Sequence, residues 1–147
     1  MRTIKFRAKI QTENFSPELA MYSKLLSERE WVCGDLHICD TKKPHIHCVM
    51  NKYPIDVSTI GQFTGLKDKN GNDIYEGDIL RVFSLNADTL GESKIVQVMY
   101  DESYAAFTVY IGEGVSWLLG STEYECEIEV IGNVHDNPEL LTNKEQI

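Results

Sequence analysis

The chain opens with a regular alternation of apolar and basic residues. Its even positions are apolar: Ile4, Phe6, Ala8 and Ile10. Its odd positions form a basic row: Lys5, Arg7 and Lys9. Because successive side chains of a β-strand point to opposite faces, this pattern predicts a half-buried strand with one apolar and one basic side.

A helix-start signal follows this strand. Ser16 can act as the N-cap, and Pro17 fits the first helical position. Apolar residues then recur at helical spacing as far as residue 30: Leu19, Tyr22, Leu25 and Leu26. The spacing predicts one short amphipathic helix.

Short segments separated by glycine make up the second half of the chain. Glycines at 61, 65, 71, 77 and 91 are typical of strands joined by tight turns. The pair Asn70-Gly71 predicts a hairpin with a type I′ turn, in which both central residues have positive φ. Further strands are predicted at 79–84, 94–101, 105–111, 115–119 and 123–131, and Asn137 and Pro138 indicate a final helical turn.

The last predicted strand has one apolar and one acidic side. The apolar side consists of Tyr124, Cys126, Ile128 and Val130. The acidic row consists of Glu123, Glu125, Glu127 and Glu129. Carboxylates at this spacing repel one another, so the acidic row is expected to be solvated or to meet a basic surface. The basic row is one candidate for that surface, if the two terminal strands pair.

Composition describes an acidic globular chain. Its 147 residues include 14 basic and 23 acidic side chains, which gives a formal net charge of −9. Residues 101–147 alone hold one basic and ten acidic side chains. This excess argues against unassisted binding to duplex DNA, because lysine and arginine must replace the counterions of the phosphates. No apolar run reaches the roughly 18 residues of a membrane helix, and no signal-peptide pattern is present, so we expect a cytoplasmic protein.

Six segments of the chain match the pattern of a known protein family and occur in the same order as in that family: KFRA at 5–8, WV at 31–32, GDL at 34–36, TIGQFTGLKDKNGNDIYEGDI at 59–79, EVIGN at 129–133 and NPELL at 137–141. Together they resemble the YopX family of small bacteriophage and prophage proteins. Residues 11–30 and 39–51 do not match the family pattern. The resemblance implies a β-rich fold with a small barrel in the C-terminal half and a gene of phage or prophage origin in a bacterial host. It implies no reaction.

The predicted fold is mainly β (β-rich α+β), as a single domain over residues 1–147. An N-terminal strand, one short helix and an irregular segment would occupy residues 1–58. A small SH3-like barrel would occupy residues 59–147. The turn Glu76-Gly77-Asp78, followed by the apolar strand that begins at Ile79, is similar to the entry into a strand of such barrels.

A Cys/His-rich stretch is the sharpest candidate for metal binding. Six potential ligands lie within sixteen residues: Cys33, His37, Cys39, His45, His47 and Cys48. Thiolate and imidazole are ligands that zinc prefers, and four of them could form a tetrahedral site. The stretch contains no Cys-x2-Cys pair and no zinc-finger spacing, so reduced thiols and surface histidines are the simpler interpretation. We predict no cofactor.

Two other motifs fail at the positions that carry the chemistry. Asp68-x-Asn70-x-Asn72 begins like a calcium loop, but Asp73 stands where the loop needs glycine and Ile79 where it needs glutamate. The glycines at 112 and 114 lack the third glycine and the βαβ unit of a dinucleotide site. No pattern places a nucleophile, and no catalytic residue is predicted.

The sequence favours a non-enzymatic interaction module that self-associates or binds a phage or host protein. The alternatives are a nucleic-acid-associated protein, acting through the basic row or by capturing a DNA-binding protein, and a zinc-binding protein. The apolar–basic alternation puts Phe6 opposite the basic row, and single-strand binders need both on one surface. Besides the two charged rows, the candidate binding residues are the following: Gln62, Thr64, Asp68, Tyr75 and Arg81.

Overall fold

A computed structural model describes residues 1–11, 31–38, 44–48, 51–84, 91–110, 116–119 and 126–142. The helix predicted from residue 16 to residue 30 lies outside these residues. The chain divides into two compact units, Met1–Phe63 and Thr64–Ile147. Within the described residues, no helix is long and apolar enough to cross a membrane.

The first unit is an antiparallel sheet. Its strands are β1 (Phe6–Lys9), β2 (Trp31–Ile38), β3 (Pro44–Cys48), β4 (Asn51–Pro54) and the start of β5 (Gly61–Lys67). They lie in the order β4-β3-β2-β1-β5. A 3₁₀ helix, Val57–Thr59, precedes β5. The hydroxyl of Thr59 accepts a hydrogen bond from the Lys9 amide at 2.8 Å and so joins this helix to the end of β1.

The apolar side of the predicted first strand packs into the core of this unit. Ala8 is fully buried and contacts buried Val32 and Ile55. Phe6 and Ile10 pack against the same cluster. The strand is shorter than predicted: Ile4 precedes it, and the side chain of Ile4 is exposed.

The second unit contains the rest of β5 and the later elements. They are β6 (Asp73–Tyr75), β7 (Asp78–Ser84), β8 (Ser93–Asp101), β9 (Ala106–Tyr110), β10 (Ser116–Leu118), β11 (Cys126–Asn133) and a short helix, α1 (Glu139–Thr142). β6 forms a hairpin with β5, and the other strands form a sheet in the order β10-β9-β8-β7-β11. The core consists mainly of residues from alternate strand positions: Ile74, Leu80, Val82, Val96, Val98, Val109, Leu119 and Ile128. The mainly β class, the later strands and the final helical turn are thereby confirmed.

The C-terminal half forms an open sheet where the sequence predicted an SH3-like barrel. A closed barrel gives every strand two neighbours, through tilt and a staggered register. The sheet ends at β10 on one side and at β11 on the other, and the described residues of these strands do not pair with each other. β10 contributes only three residues, and all of them pair with β9.

The terminal strands do not pair, contrary to one of the arrangements that the charge pattern suggested. β1 lies between β2 and β5, whereas β11 pairs with β7. The register of β11 places Ile128 opposite Val82 and Glu129 opposite Arg81. Pairing with β7 extends the apolar face of that strand, and this burial outweighs an exposed attraction between two charged rows.

The hairpin at Asn70-Gly71 is present, but its turn is not type I′. Only Gly71 has a positive φ, of 83°. The Gly71 amide donates to the Asp68 carbonyl at 3.0 Å, and the Asp68 amide donates to the Asn72 carbonyl at 2.8 Å. Five residues, 68–72, therefore connect β5 and β6, and Gly71 adopts the left-handed conformation within this turn. The type I′ prediction was wrong because the Asp68 carboxylate organises a longer turn.

Candidate functional site

The basic row of β1 shares its face with two aromatic rings from neighbouring strands. Arg7 Cζ lies 5.0 Å from the ring centroid of Trp31, and Lys9 Nζ lies 5.6 Å from the same ring. Lys5 Nζ lies 4.5 Å from the ring centroid of Phe63. Cations at these distances are attracted to the electron-rich ring faces. The row therefore covers two aromatic rings of the first unit, of which Trp31 is partly exposed and Phe63 is buried.

This arrangement corrects the separation of aromatic and basic groups that the sequence suggested for β1. That expectation considered Phe6, which packs on the apolar side of its own strand. The rings beside the basic row come from β2 and β5, and strand pairing rather than local spacing brings them there. Nε and Nη2 of Arg7 are buried, so this guanidinium contributes to packing as well as to charge.

The described part of the acidic row meets cations of its own unit. Lys69 Nζ lies 3.7 Å from Glu127 Oε2 and 4.0 Å from Glu129 Oε2. Arg81 Nη1 lies 3.9 Å from Glu129 Oε2. Positions 123 and 125 lie outside the described residues. Partly exposed ion pairs at these distances stabilise little, but they reduce the negative potential along β11.

Asp68 connects the β5–β6 turn to β11. Its Oδ1 accepts hydrogen bonds from the amides of Asn70 at 2.9 Å and Asn72 at 2.8 Å. Its Oδ2 accepts one from the amide of Val130 at 3.1 Å and one from the side chain of Asn72 at 3.1 Å. Burial raises the pKa of Asp68, but these hydrogen bonds to the charged form, led by that from Val130, hold the pKa below its ordinary value.

The other candidates from the central block have structural contacts. Gln62 lies opposite Phe6 on β5. Thr64 Oγ1 donates to the Ile74 carbonyl at 2.8 Å. Tyr75 is buried, and its amide donates to Oδ2 of Asp78 at 2.7 Å. These contacts support the interpretation of this block as a structural segment.

Strand pairing brings several members of the Cys/His-rich stretch to neighbouring positions. His37 lies opposite His45 across β2 and β3, and Asp35 lies opposite His47. The side chains of Cys33 and His37 are exposed. Residue 39 lies outside the described part of the chain. Across the described residues, no group of three metal-ligating side chains is positioned to hold an ion.

The sequence did not reveal the surface that the β8–β9 hairpin presents. Its four large side chains, which we call the hairpin surface, are exposed by about half or more: Met99 46%, Tyr100 45%, Tyr104 67% and Tyr110 49%. The apolar face of both strands is already buried through residues such as Val98 and Val109. The signal in the sequence was therefore the pair Met99 and Tyr110, large side chains on the side of the alternation opposite to Val98 and Val109.

The turn of this hairpin carries an unusual backbone conformation. Ala105 has a φ of 49°, the only positive φ of a non-glycine residue in the described part of the chain. Its amide donates to the Glu102 carbonyl at 3.4 Å, and Asp101 Oδ1 accepts from the Ser103 amide at 2.8 Å. Tyr104 therefore projects from a tight turn at the tip of the hairpin.

A cavity lies beside the hairpin surface. It has a volume of about 420 Å³ and is lined by Met99, Tyr100, Asp101, Glu102, Thr108 and Tyr110. Met99 lies opposite Thr108 in the ladder, and Thr108 is buried. The Tyr100 ring packs edge-on against Phe107, with 5.4 Å between centroids. The cavity thus combines apolar walls with two carboxylates.

Comparison with known proteins places the chain in a family. The family model described as YopX protein matches residues 5–142. The crystal structure of protein YopX from Bacillus subtilis has a similar fold, with a TM-score of 0.56 and 20% identity over 95% of this chain and 98% of that chain. The crystal structure of protein EF1440 from Enterococcus faecalis has a TM-score of 0.51 and 26% identity over 96% of this chain and 99% of that chain. No curated protein matches. Since the family model covers nearly the whole sequence, the chain belongs to the YopX family.

Proposed function

We propose that this chain is a non-enzymatic protein-interaction module, a phage- or prophage-derived accessory protein of the bacterial cytoplasm. The hairpin surface is the observation that carries the proposal. Four large side chains, three of them tyrosines, stay exposed on one hairpin although the sheet has a complete buried face. Tyrosine and methionine are enriched at protein interfaces, because they supply large contact areas with an adaptable or partly polar character.

The partner is a different protein rather than a second copy of this chain. The second unit, Thr64–Ile147, holds 5 basic and 16 acidic residues. A symmetric dimer through the hairpin surface would bring Asp101 and Glu102 of two copies close together. Like charges across an interface disfavour association, whereas a basic partner would be attracted.

Capture with matched variants tests this proposal. Immobilised wild-type chain and a Val57→Ser variant should retain the same protein from a bacterial lysate, and a Met99→Ser/Tyr110→Ser variant should not. Val57 is an exposed apolar residue of the first unit and controls for general stickiness. The captured protein, identified by mass spectrometry, should rebind in purified form.

Two results would overturn the proposal. One is a purified partner that binds the double variant as tightly as the wild type. The other is a dimer of the chain itself, measured by light scattering, that the double variant abolishes. Such a dimer would show that the hairpin surface binds a second copy of the chain rather than a different protein.

Association with single-stranded nucleic acid is a second candidate function. It is supported by the proximity of the partly exposed Trp31 to Arg7 and Lys9, because stacking and phosphate neutralisation work together on one surface. Fluorescence anisotropy with a single-stranded oligonucleotide tests it. Lys5→Glu/Lys9→Glu should abolish binding, whereas Lys94→Glu, a change on an exposed lysine of the second unit, should weaken it only slightly. If both variants bound the oligonucleotide equally well, the basic row would be excluded as the nucleic-acid-binding surface.

A further inference from the structure

We infer that the cavity beside the hairpin surface is a binding site for a lysine or arginine side chain from a basic segment of the partner protein. This inference rests on the proposed function and adds to it the chemistry of the partner. The combination of an aromatic wall, a buried floor and acidic groups in one cavity carries the inference.

The walls of the cavity suit the aliphatic stem and the charged head of such a side chain. Met99 and Tyr110 lie on one face of the ladder with the buried Thr108 between them, so the stem would lie on a mostly apolar surface. A cation over the face of a tyrosine ring is attracted by the ring quadrupole. Lysine and arginine commonly bury their methylene groups in this way and keep the charge near polar groups.

The acidic groups of the cavity supply the complementary charge. Asp101 and Glu102 follow one another where β8 ends, and both line the cavity. Asp101 Oδ1 accepts a hydrogen bond from the turn, which orders this carboxylate, while Glu102 is exposed. A carboxylate beside a tyrosine ring selects a cation over a neutral or acidic side chain, because an anion would meet like charge in the cavity.

The size of the cavity and the charge of its surroundings agree with this occupant. A volume of about 420 Å³ lies within the range of about 300–1,000 Å³ that is usual for ligand sites. The excess of acidic residues in the second unit raises the local concentration of basic segments and speeds their encounter with the site. One inserted side chain would then fix the register of the bound segment.

Fluorescence anisotropy with a labelled peptide of alternating arginine and serine tests the inference. The wild type should bind this peptide, added salt should weaken binding, and the same peptide with glutamate in place of arginine should not bind. Tyr110→Ser and Glu102→Gln should each weaken binding roughly tenfold, and Tyr110→Phe, which keeps the ring, should bind like the wild type.

Two matched variants separate the cavity from general effects. Glu92→Gln removes an equal charge from an exposed position that does not line the cavity, and Val57→Ser removes an exposed apolar side chain from the first unit. Both should bind within about twofold of the wild type. If Glu92→Gln weakened peptide binding as much as Glu102→Gln does, general charge attraction would explain the binding. An effect of Val57→Ser equal to that of Tyr110→Ser would show that peptide binding does not depend on the cavity.

The peptide and the lysate experiments fail in different ways. If the arginine peptide does not bind while partner capture still depends on Met99 and Tyr110, the inferred ligand chemistry is wrong and the interaction function stands. If capture does not depend on these two residues, the proposed function fails, whatever the peptide does.

Discussion

At the scale of single residues, Asp68 shows how one carboxylate can determine local structure. In the sequence it lies in a polar turn that begins like a calcium-binding loop. In the fold its two oxygens accept four hydrogen bonds from three residues, one of them on β11. Such long-range use of a side chain has no local signature, because the Val130 amide is 62 positions away.

Replacing Asp68 by asparagine should destabilise the fold by about 2 kcal/mol, the usual range for hydrogen bonds to a charged group. Urea unfolding at neutral pH measures the loss. Glu102→Gln, at an exposed carboxylate, is the control and should change the unfolding free energy little. A loss no larger than that of the control would remove Asp68 from its structural role.

The same residue predicts a dependence of stability on pH. The pKa of Asp68 is lowered in the fold, so the unfolded chain binds its proton more tightly than the folded chain does. Its contribution is therefore present above the ordinary carboxyl pKa of 3.8 and is lost as pH falls through the lower folded value. The gap between wild type and Asp68→Asn should narrow as the pH of the unfolding series is lowered through this region. A gap that is independent of pH would contradict this.

Ala105 occupies a backbone conformation that favours glycine. Ala105→Gly should stabilise the chain by about 0.5–1 kcal/mol, because the left-handed region crowds the Cβ of alanine. Ala106→Gly, one residue later within β9, should have the opposite sign, since glycine weakens a strand. Thermal unfolding of the two variants compares them directly. Destabilisation by both would show that the turn does not strain the alanine.

At the scale of elements, local alternation predicted the later strands well and their neighbours poorly, and it missed β2, β3 and β4 in the segment that was expected to be irregular. The period-two pattern located β7, β8, β9 and β11 to within a few residues, because burial of one face of a strand requires apolar residues at alternate positions of that segment. It could not tell which strand β11 joins, since several strands offer a similar apolar face. Pairing with β7 and the open sheet edge at β10 follow from this non-local choice.

The end of β11 depends on a close approach between Gly132 and Asn137, which lies two residues before α1. The ladder shifts register between Val130 and Gly132, and a Cβ at Gly132 would lie 2.5 Å from Oδ1 of Asn137. Gly132→Ala should therefore cost about 1–3 kcal/mol by overpacking. Chemical unfolding of the single variant and of Gly132→Ala/Asn137→Ala checks the cause. The second change should recover part of the loss, and a purely additive effect would rule out the contact.

At the scale of the whole molecule, the charge distribution follows the two units. Met1–Phe63 holds 9 basic and 7 acidic residues, whereas Thr64–Ile147 holds 5 and 16. The acidic end is a property of the sequence itself, and the sequence analysis placed the candidate interaction on the two charged rows, which remains a prediction. Lys69 and Arg81 meet the described part of the acidic row, and the hairpin surface of the same unit presents the exposed apolar side chains. That surface could not be predicted because exposure depends on what the fold leaves uncovered.

Amide-resolved NMR with the arginine–serine peptide tests most directly whether the hairpin surface binds a basic partner. We expect shift changes to concentrate at residues 99–110 and to saturate with peptide concentration. Shift changes centred on the basic row or on β11, or no shift changes at any peptide concentration, would contradict binding at the hairpin surface.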